Sequence, residues 1–242
     1  MNSRITIVIA DSHLGVKEED ISHIRDFISE LVPSNTEILF LGDLFHIWAG
    51  PQKFHTAQIK QFLELLQIYR DKGGKCYLVT GNRDVFIKET NNRLPFDRIA
   101  TESLVLEKPG GKLMAVHGDT INSLDLKYLK WRRTIRNPLF QLPFQLIPSS
   151  WAKKIMFALE RRLKQTNIAF RHSFPTEEWL KFLHAINKIL APDLLLAGHF
   201  HPSSLVVDEA GSTTGLVLPD WCDNHYYLEI DENLAFREKT FS

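Results

Sequence analysis

Seven residues of this chain have types and spacing that could do chemistry together: Asp11, His13, Asp43, Asn82, His117, His199 and His201. Imidazole, carboxylate and one side-chain amide, with no thiolate beside them, form the donor set of a catalytic site for manganese, iron or zinc. A structural zinc site would look different. Seven donors exceed what one ion needs, whereas two divalent ions sharing one carboxylate would use them all, and Asp43 is the expected bridge.

Each donor follows a short apolar run. Asp11-Ser12-His13 comes after Ile7-Val8-Ile9-Ala10, and Gly42-Asp43 after Ile38-Leu39-Phe40-Leu41. Gly81-Asn82-Arg83-Asp84 comes after Tyr77-Leu78-Val79-Thr80, and His117-Gly118-Asp119 after Leu113-Met114-Ala115-Val116. Gly198-His199-Phe200-His201 follows Leu194-Leu195-Leu196-Ala197. A single Asp after a strand is as readily a helix N-cap, and His-x-His shares a strand face with or without a metal. Capping does not account for five ligand-type clusters behind five strands. Asp84 and Asp119 are expected to orient ligand imidazoles, and His46, His55, His172, His184 and His225 to be surface or packing residues.

The elements that must position these groups follow from hydrophobic periodicity. Arg4 to Ala10, Glu37 to Leu41 and Lys75 to Thr80 read as buried strands, with amphipathic helices at Ile21 to Leu31 and Ala57 to Lys72. That alternation predicts an α/β fold with βαβ units and a largely parallel sheet, whose C-terminal strand ends form the ligand crevice. Ser103 to Leu106 and Lys112 to Val116 read as a hairpin through Pro109-Gly110-Gly111, which makes the sheet mixed. From Leu124 to Leu190 strands give way to helices near Leu124 to Arg136, Ser150 to Asn167 and Thr176 to Leu190. The first two read as an inserted cap, residues 124–171, between core segments 1–123 and 172–242. Five strands then return: Asp193 to Ala197, Ser204 to Asp208, Thr214 to Leu218, His225 to Ile230 and Leu234 to Thr240.

The 242 residues, 44% hydrophobic, suffice for one α/β domain with a sizeable insertion. Formal charge is zero, so no global field recruits nucleic acid. Two distant cysteines, Cys76 and Cys222, argue against a disulfide framework and fit a reducing cytosol. The run Ile5 to Ala10 is too short for a signal segment or a membrane span.

The ordered blocks Asp-x-His, Gly-Asp, Gly-Asn-x-Asp, His-Gly-Asp and Gly-His-x-His, spanning residues 11 to 201, resemble the calcineurin-like metallophosphoesterases. The resemblance implies a β-sandwich flanked by helices and holding two divalent ions. Gly42-Asp43-Leu44-Phe45-His46-Ile47-Trp48, Gly-Asn-Arg-Asp with Arg83 where many members carry His, His117-Gly118-Asp119-Thr120 and the inserted helices narrow it. They resemble the bacterial UDP-2,3-diacylglucosamine pyrophosphatases of lipid A biosynthesis. Those enzymes release UMP and 2,3-diacylglucosamine 1-phosphate and commonly use manganese. Many members carry an acidic pair after the Trp of the second block, where this chain has Gly50-Pro51-Gln52. Asp125 and Tyr128 match the family pattern, which implies a glucosamine contact for Asp125 and a substrate-binding role for Tyr128.

The segment from Ile121 to Pro175 carries eleven Lys and Arg against Asp125 and Glu160, a local charge of +9. Pro138 to Pro148 is uncharged and interrupted by Pro too often for a long helix, and reads as an apolar loop. Trp151, Ile155, Leu159 and Leu163 then recur every four residues. Cationic and apolar together suit an anionic membrane surface, although the stripe could equally pack the cap on its own core. Leu139, Phe140, Phe144, Trp151, Ile155 and Leu159 are the expected acyl or membrane contacts. Lys153, Lys154, Arg161, Lys164 and Arg171 are assigned to phosphate or headgroup, with Arg161, Lys164, Arg171 and His199 counted as substrate contacts.

The expected enzyme is therefore cytosolic, peripheral on the inner membrane face, and acts on an acylated UDP-sugar. Asp43, Asn82, Arg83 and His117 form its catalytic set, with Asn82 and Arg83 meeting developing oxyanion charge. No nucleic-acid partner and no obligate protein partner are expected. A broad phosphodiesterase or phosphatase on nucleotides is the rival enzyme, and acyl-chain dependence separates the two. A scaffold that keeps the fold without metal chemistry is the rival outside enzymes, and the complete ligand set speaks against it.

Overall fold

The computed structural model describes residues 4–15, 19–89, 93–148, 150–152, 154–155, 158 and 174–242. Two β-sheets pack face to face. The first has six strands: β1 (Ile5–Ile9), β2 (Thr36–Phe40), β4 (Lys75–Val79), β6 (Arg98–Ala100), β12 (Tyr226–Ile230) and β13 (Phe236–Thr240), in the order β13-β12-β1-β2-β4-β6. Strands β1, β2, β4 and β6 run parallel, while β12 pairs antiparallel with β1. The second has five: β7 (Ser103–Lys108), β8 (Gly111–Val116), β9 (Leu194–Ala197), β10 (Val206–Ala210) and β11 (Thr213–Val217), in the order β10-β11-β9-β8-β7. Here β8, β9 and β11 are parallel, flanked by antiparallel edges. The single mixed sheet expected from periodicity is thus two sheets, as the family resemblance implied. A two-stranded ribbon of β3 (Trp48–Ala49) and β5 (Asp84–Val85), together with the short β6, had no periodic signal because two or three residues cannot show alternation.

Side chains alternate across each strand, so both faces of both sheets are used. Val8, Leu39, Val79, Leu113, Ala115, Leu194, Leu196 and Leu228 fill the space between the sheets. Ile7, Ile9, Ile38, Phe40 and Leu78 point outward, under α1 (Glu19–Glu30) and α2 (Ala57–Asp71). α2 presents Ile59, Phe62, Leu66 and Tyr69 at helical spacing, starts where the Thr56 hydroxyl accepts from Ile59 N, and ends before Gly73 at φ +92°. Beyond the second sheet, Met114, Leu195 and Val217 lie under Trp179 and Leu183 of a helix spanning Thr176–Ile189. Helices on both outer faces explain why these strands read as unbroken apolar runs.

Between β8 and that helix, α5 (Thr176–Ile189), stand α3 (Leu126–Arg136) and α4 (Pro138–Leu146). α4 corrects the expectation of a loop. Pro138 sits in its first turn, where a missing N–H costs nothing, and the Asn137 side chain accepts from Leu139 N, so only Pro143 interrupts. Most of the helix expected from Ser150 to Asn167 lies outside the described residues, as do Arg161, Lys164, Arg171, Lys153, Leu159, Leu163 and His172. Among the described residues no helix is long and apolar enough to cross a membrane.

α3 buries no apolar side chain completely and is held by charge instead. Arg132 Nε donates to Asp119 Oδ2 at 2.7 Å, the Tyr128 hydroxyl binds the same oxygen, and Arg132 and Arg136 reach Glu102 and the Thr101 carbonyl. Asp119 and Arg132 are both largely buried, and removing one partner strands the other. Arg132→Ala should therefore speed amide exchange across residues 126–136 about tenfold or more, equivalent to about 1.4 kcal/mol, with sandwich strands unchanged. Exchange equal to wild type in α3 would show that the clamp does not hold it.

Candidate metal centre

The six central parallel strands all end at one edge of the sandwich. Asp11 and His13 follow β1, Asp43 follows β2, Asn82 follows β4, His117 follows β8, and His199 and His201 follow β9. Trp221 N donates to the Ala10 carbonyl at 2.9 Å, tying the segment after the second sheet to the end of β1, while Gly198 N to the His117 carbonyl at 2.9 Å extends the β8–β9 ladder within the second sheet. Asp11, His13, Asp43 and His117 are buried.

Two donor groups form. Asp11, His13 and His201 make one, and Asp11, Asp43 and His117 the other, with ligand atoms in each within 4.8 Å of one another. Asp43 divides its oxygens, Oδ1 lying 3.6 Å from His117 Nε2 and Oδ2 4.0 Å from His13 Nδ1. His117 Nδ1 is 2.7 Å from the Leu41 carbonyl, which only accepts, so Nδ1 carries a proton and Nε2 faces the Asn82 side-chain oxygen at 3.1 Å. His201 lies parallel to His13, rings 5.3 Å apart, with Nε2 3.6 Å from Asp11 Oδ1. His199 donates its backbone N–H to Asp11 Oδ2 at 2.6 Å and sets its ring against His117 with centroids 5.0 Å apart. All seven sequence-predicted donors thus converge, five of them in the two donor groups, Asn82 through its oxygen on His117, and His199 by its backbone and ring.

The residues present fit a pair of cations. Asp11 Oδ1 and His13 Nδ1 are buried without a hydrogen-bond partner among the described residues, the state in which an ion is the natural partner. Five of the seven donors hold positive φ: Asp11 (50°), His13 (42°), Asp43 (50°), His199 (72°) and His201 (47°). Only four other non-glycine residues do so among the described residues. Such strain gathers at functional sites and persists only where surroundings enforce it. Gly42, at φ +90°, and Gly81 allow the close approach, since a Cβ on Gly81 would lie 2.2 Å from Asp43 Oδ1.

Burial and charge set the protonation states. Burial, reinforced by the Arg83 charge, holds His13 well below the ordinary imidazole value, and burial beside His117 lowers His199 to about 3. For His201 burial is outweighed by the carboxylates of Asp11 and Asp220, which push it up to about 9. His117 is raised too, burial being overcome by Asp43 and Asp11. Burial raises Asp11 despite the opposing imidazoles, and burial next to Asp43 takes Asp84 to about 7.

Two expectations about neighbouring acids are corrected. Asp84 Oδ2 accepts from Asp43 N (2.8 Å) and Gly81 N (2.9 Å), so it shapes the two glycine turns and not an imidazole. Asp119 is committed to Tyr128 and Arg132 of α3. Asp125 accepts from Tyr128 N as the N-cap of α3 and lines an open cavity with Asn122, Phe174 and Glu178. Arg83 is buried, with N donating to Asp43 Oδ1 at 2.9 Å and Nε 3.4 Å from Asp43 Oδ2.

Asp220 was missed by sequence reasoning. Its Oδ2 lies 3.2 Å from His201 Nδ1, the carboxylate–imidazole pairing that supports metal ligands. The signal was present, because Pro219-Asp220 follows the Leu216-Val217-Leu218 run just as the other donors follow theirs. His46, expected at the surface or in packing, is buried against Arg83, and His55 is buried with its Nε2 3.2 Å from Trp48 Nε1.

Two measurements test this electrostatic arrangement. Asp220→Asn should weaken binding of the ion nearest His201 by about 10–100-fold in chelator competition. Wild-type affinity in that variant would mean Asp220 only caps the short helix Trp221–Asn224 that follows it. Because His201 is pushed up to about 9 and His117 is raised above its ordinary value, ion uptake at pH 7 must displace protons, and affinity should fall as pH drops below about 9. Calorimetry in buffers of different ionisation heat reads that release; heats independent of buffer would contradict the assigned charges.

Comparisons place this geometry. Residues 6–203 match the model of the calcineurin-like phosphoesterase family. The chain is 28% identical over 240 residues to a UDP-2,3-diacylglucosamine hydrolase of Vibrio cholerae, covering 95% of this chain and 96% of that one. It is 33% identical over 167 residues to the enzyme of the same name from Serratia proteamaculans, covering 67% and 68%. Vacuolar Protein Sorting 29 from Cryptosporidium parvum shares the fold, with a TM-score of 0.51 at 12% identity over the full length of both chains. From its ordered motifs, its paired sheets and its matched length, this chain belongs to the calcineurin-like phosphoesterase family and is a metal-dependent hydrolase.

Proposed function

We propose that this chain hydrolyses the pyrophosphate bond of UDP-2,3-diacylglucosamine, releasing UMP and 2,3-diacylglucosamine 1-phosphate. The named activity of its relatives supports the reading. The observation that carries it is an apolar surface beside a phosphate-handling centre. Of the fourteen exposed large hydrophobic residues described, eight lie between Leu124 and Trp151, including Leu139, Leu142, Leu146 and Trp151. Phe144, Ile147 and Ala152 meanwhile pack on Ala49, Phe54 and Phe86, with Phe86 three residues from Arg83 and its ring 4.8 Å from Phe144. The described part of the cap, which spans residues 124–171 in this proposal, is thus packed beside the centre and leaves much of its apolar surface to solvent, as a lipid-handling lid would.

Asp11, His13, Asp43, Asn82, His117, His199 and His201 would hold two divalent ions, manganese by preference. When bound, the ions supply positive charge to the phosphate oxygens and acidify water. Asn82 and Arg83 stabilise charge developing on the phosphoryl oxygens, and guanidinium suits the task because it stays ionised and offers a fork of donors. Asp125, the ring of Tyr128 and His199 serve the sugar and phosphate, while Arg161, Lys164 and Arg171 supply cationic contacts from the remainder of the cap. The exposed apolar cap residues and the local +9 charge fit a peripheral position on an anionic inner membrane face.

Product analysis tests the assignment directly. With the diacylated UDP-sugar, UMP and the lipid phosphate should appear, and each acyl methylene removed should weaken binding by about 0.8 kcal/mol. Arg83→Ala should lower kcat/KM about a hundredfold with metal content intact. Equal kcat/KM for the acylated and deacylated sugar would replace the lipid assignment with a nucleotide phosphodiesterase.

A further inference from the structure

His46 contributes nothing to the donor groups, yet both ends of the residue converge on one atom. Arg83 Nη1 lies 3.1 Å from His46 Nδ1 and 3.1 Å from the His46 carbonyl oxygen, in a buried setting. With Nε 3.4 Å from Asp43 Oδ2 and the backbone N–H on Asp43 Oδ1, two of the three guanidinium nitrogens are committed to fixed protein acceptors. Nη2 enters none of these contacts. The guanidinium plane is therefore set by the protein before any phosphate arrives.

Chemistry fixes the state of the imidazole. A guanidinium has no acceptor and stays protonated, so it must donate, and His46 Nδ1 must be the lone pair that receives. His46 is then neutral with its proton on Nε2. A cationic His46 would lose the acceptor and set two positive groups in contact, and the opposite tautomer would face Nη1 with a donor. The backbone is held as well, since His46 N donates to the Leu14 carbonyl at 3.0 Å and Trp48 N to the Arg83 carbonyl at 2.9 Å. His46 and Arg83 thus sit on two loops tied side by side, one following β2 and the other β4.

We propose that His46 is the positioning residue of Arg83: as the Nε2–H tautomer it holds Nη1 so that Nη2 is presented to a phosphoryl oxygen at the centre. The inference rests on the phosphoryl-transfer reading of Arg83 and is independent of the lipid. A freely rotating arginine would have to lose that freedom in the transition state, and a pre-aimed one does not.

Two readouts test it, neither depending on the acylated sugar. In the zinc-loaded or ion-free protein, long-range proton–nitrogen spectra should show His46 protonated at Nε2 with an unprotonated Nδ1. The Nδ1–H tautomer, or an imidazolium at neutral pH, would overturn the proposal. In the second, bis(p-nitrophenyl) phosphate is the substrate and metal content is measured for each variant. His46→Leu should lower kcat about tenfold, while His46→Asn, whose side-chain oxygen falls where Nδ1 does, should stay within about threefold of wild type. The decisive arm is the double variant, because His46→Leu should cost nothing further once Arg83→Ala is present. Additive losses would make His46 a packing residue and overturn the proposal. No loss for Arg83→Ala by itself would instead remove the underlying role of Arg83, a distinguishable failure.

Discussion

Two carboxylates, Asp11 and Asp43, are buried at one end of the sandwich and reach the same imidazole, His117, with His201 beside Asp11 and Arg83 beside Asp43. Placing ionised groups out of water costs several kcal/mol each unless they are paired. The backbone adds to that cost, since five donors occupy the left-handed region at about 1–2 kcal/mol apiece. Those sums rival the whole stability of an ordinary domain. Cation binding offsets part of that cost, because an ion at a thousand times its dissociation constant contributes about 4 kcal/mol to the folded state.

The architecture follows from that constraint. Loops projecting from a single sheet would have to bend far to surround two ions, whereas two facing sheets supply three parallel strand ends each. Asp11, Asp43 and Asn82 descend from one sheet, and His117, His199, His201 and Asp220 from the other. Bonds such as His199 N to Asp11 and His117 Nδ1 to the Leu41 carbonyl cross between the sheets, so closing the sandwich and assembling the centre are one event. The clamp of Asp119 on Tyr128 and Arg132 extends the same network to the cap, two residues beyond His117.

Much of this was legible in the sequence because donor chemistry and strand ends are local features. Runs such as Ile7-Val8-Ile9-Ala10 announced buried strands, and the polar cluster behind each announced a donor loop. What periodicity could not reveal was the division into two sheets, since a strand buried on both faces reads alike in a sheet or a sandwich. Positive φ at Asp11, His13, Asp43, His199 and His201 was equally hidden, because nothing in the identity of a single Asp or His reports its dihedral. Asp84 and Asp119 were placed near the site but given imidazole partners, when one shapes two backbone turns and the other grips α3. α4 was read as a loop from its prolines, although Pro138 stands where a helix tolerates it.

The central claim is that the seven donors form one two-ion centre joined through Asp43. A crystal grown with manganese and measured for anomalous scattering tests it most directly. The account predicts two peaks about 3.5–4 Å apart, with the Asp43 carboxylate contacting both ions and His199 and His201 turned toward them. A single peak, or two ions with Asp43 on only one, would contradict it.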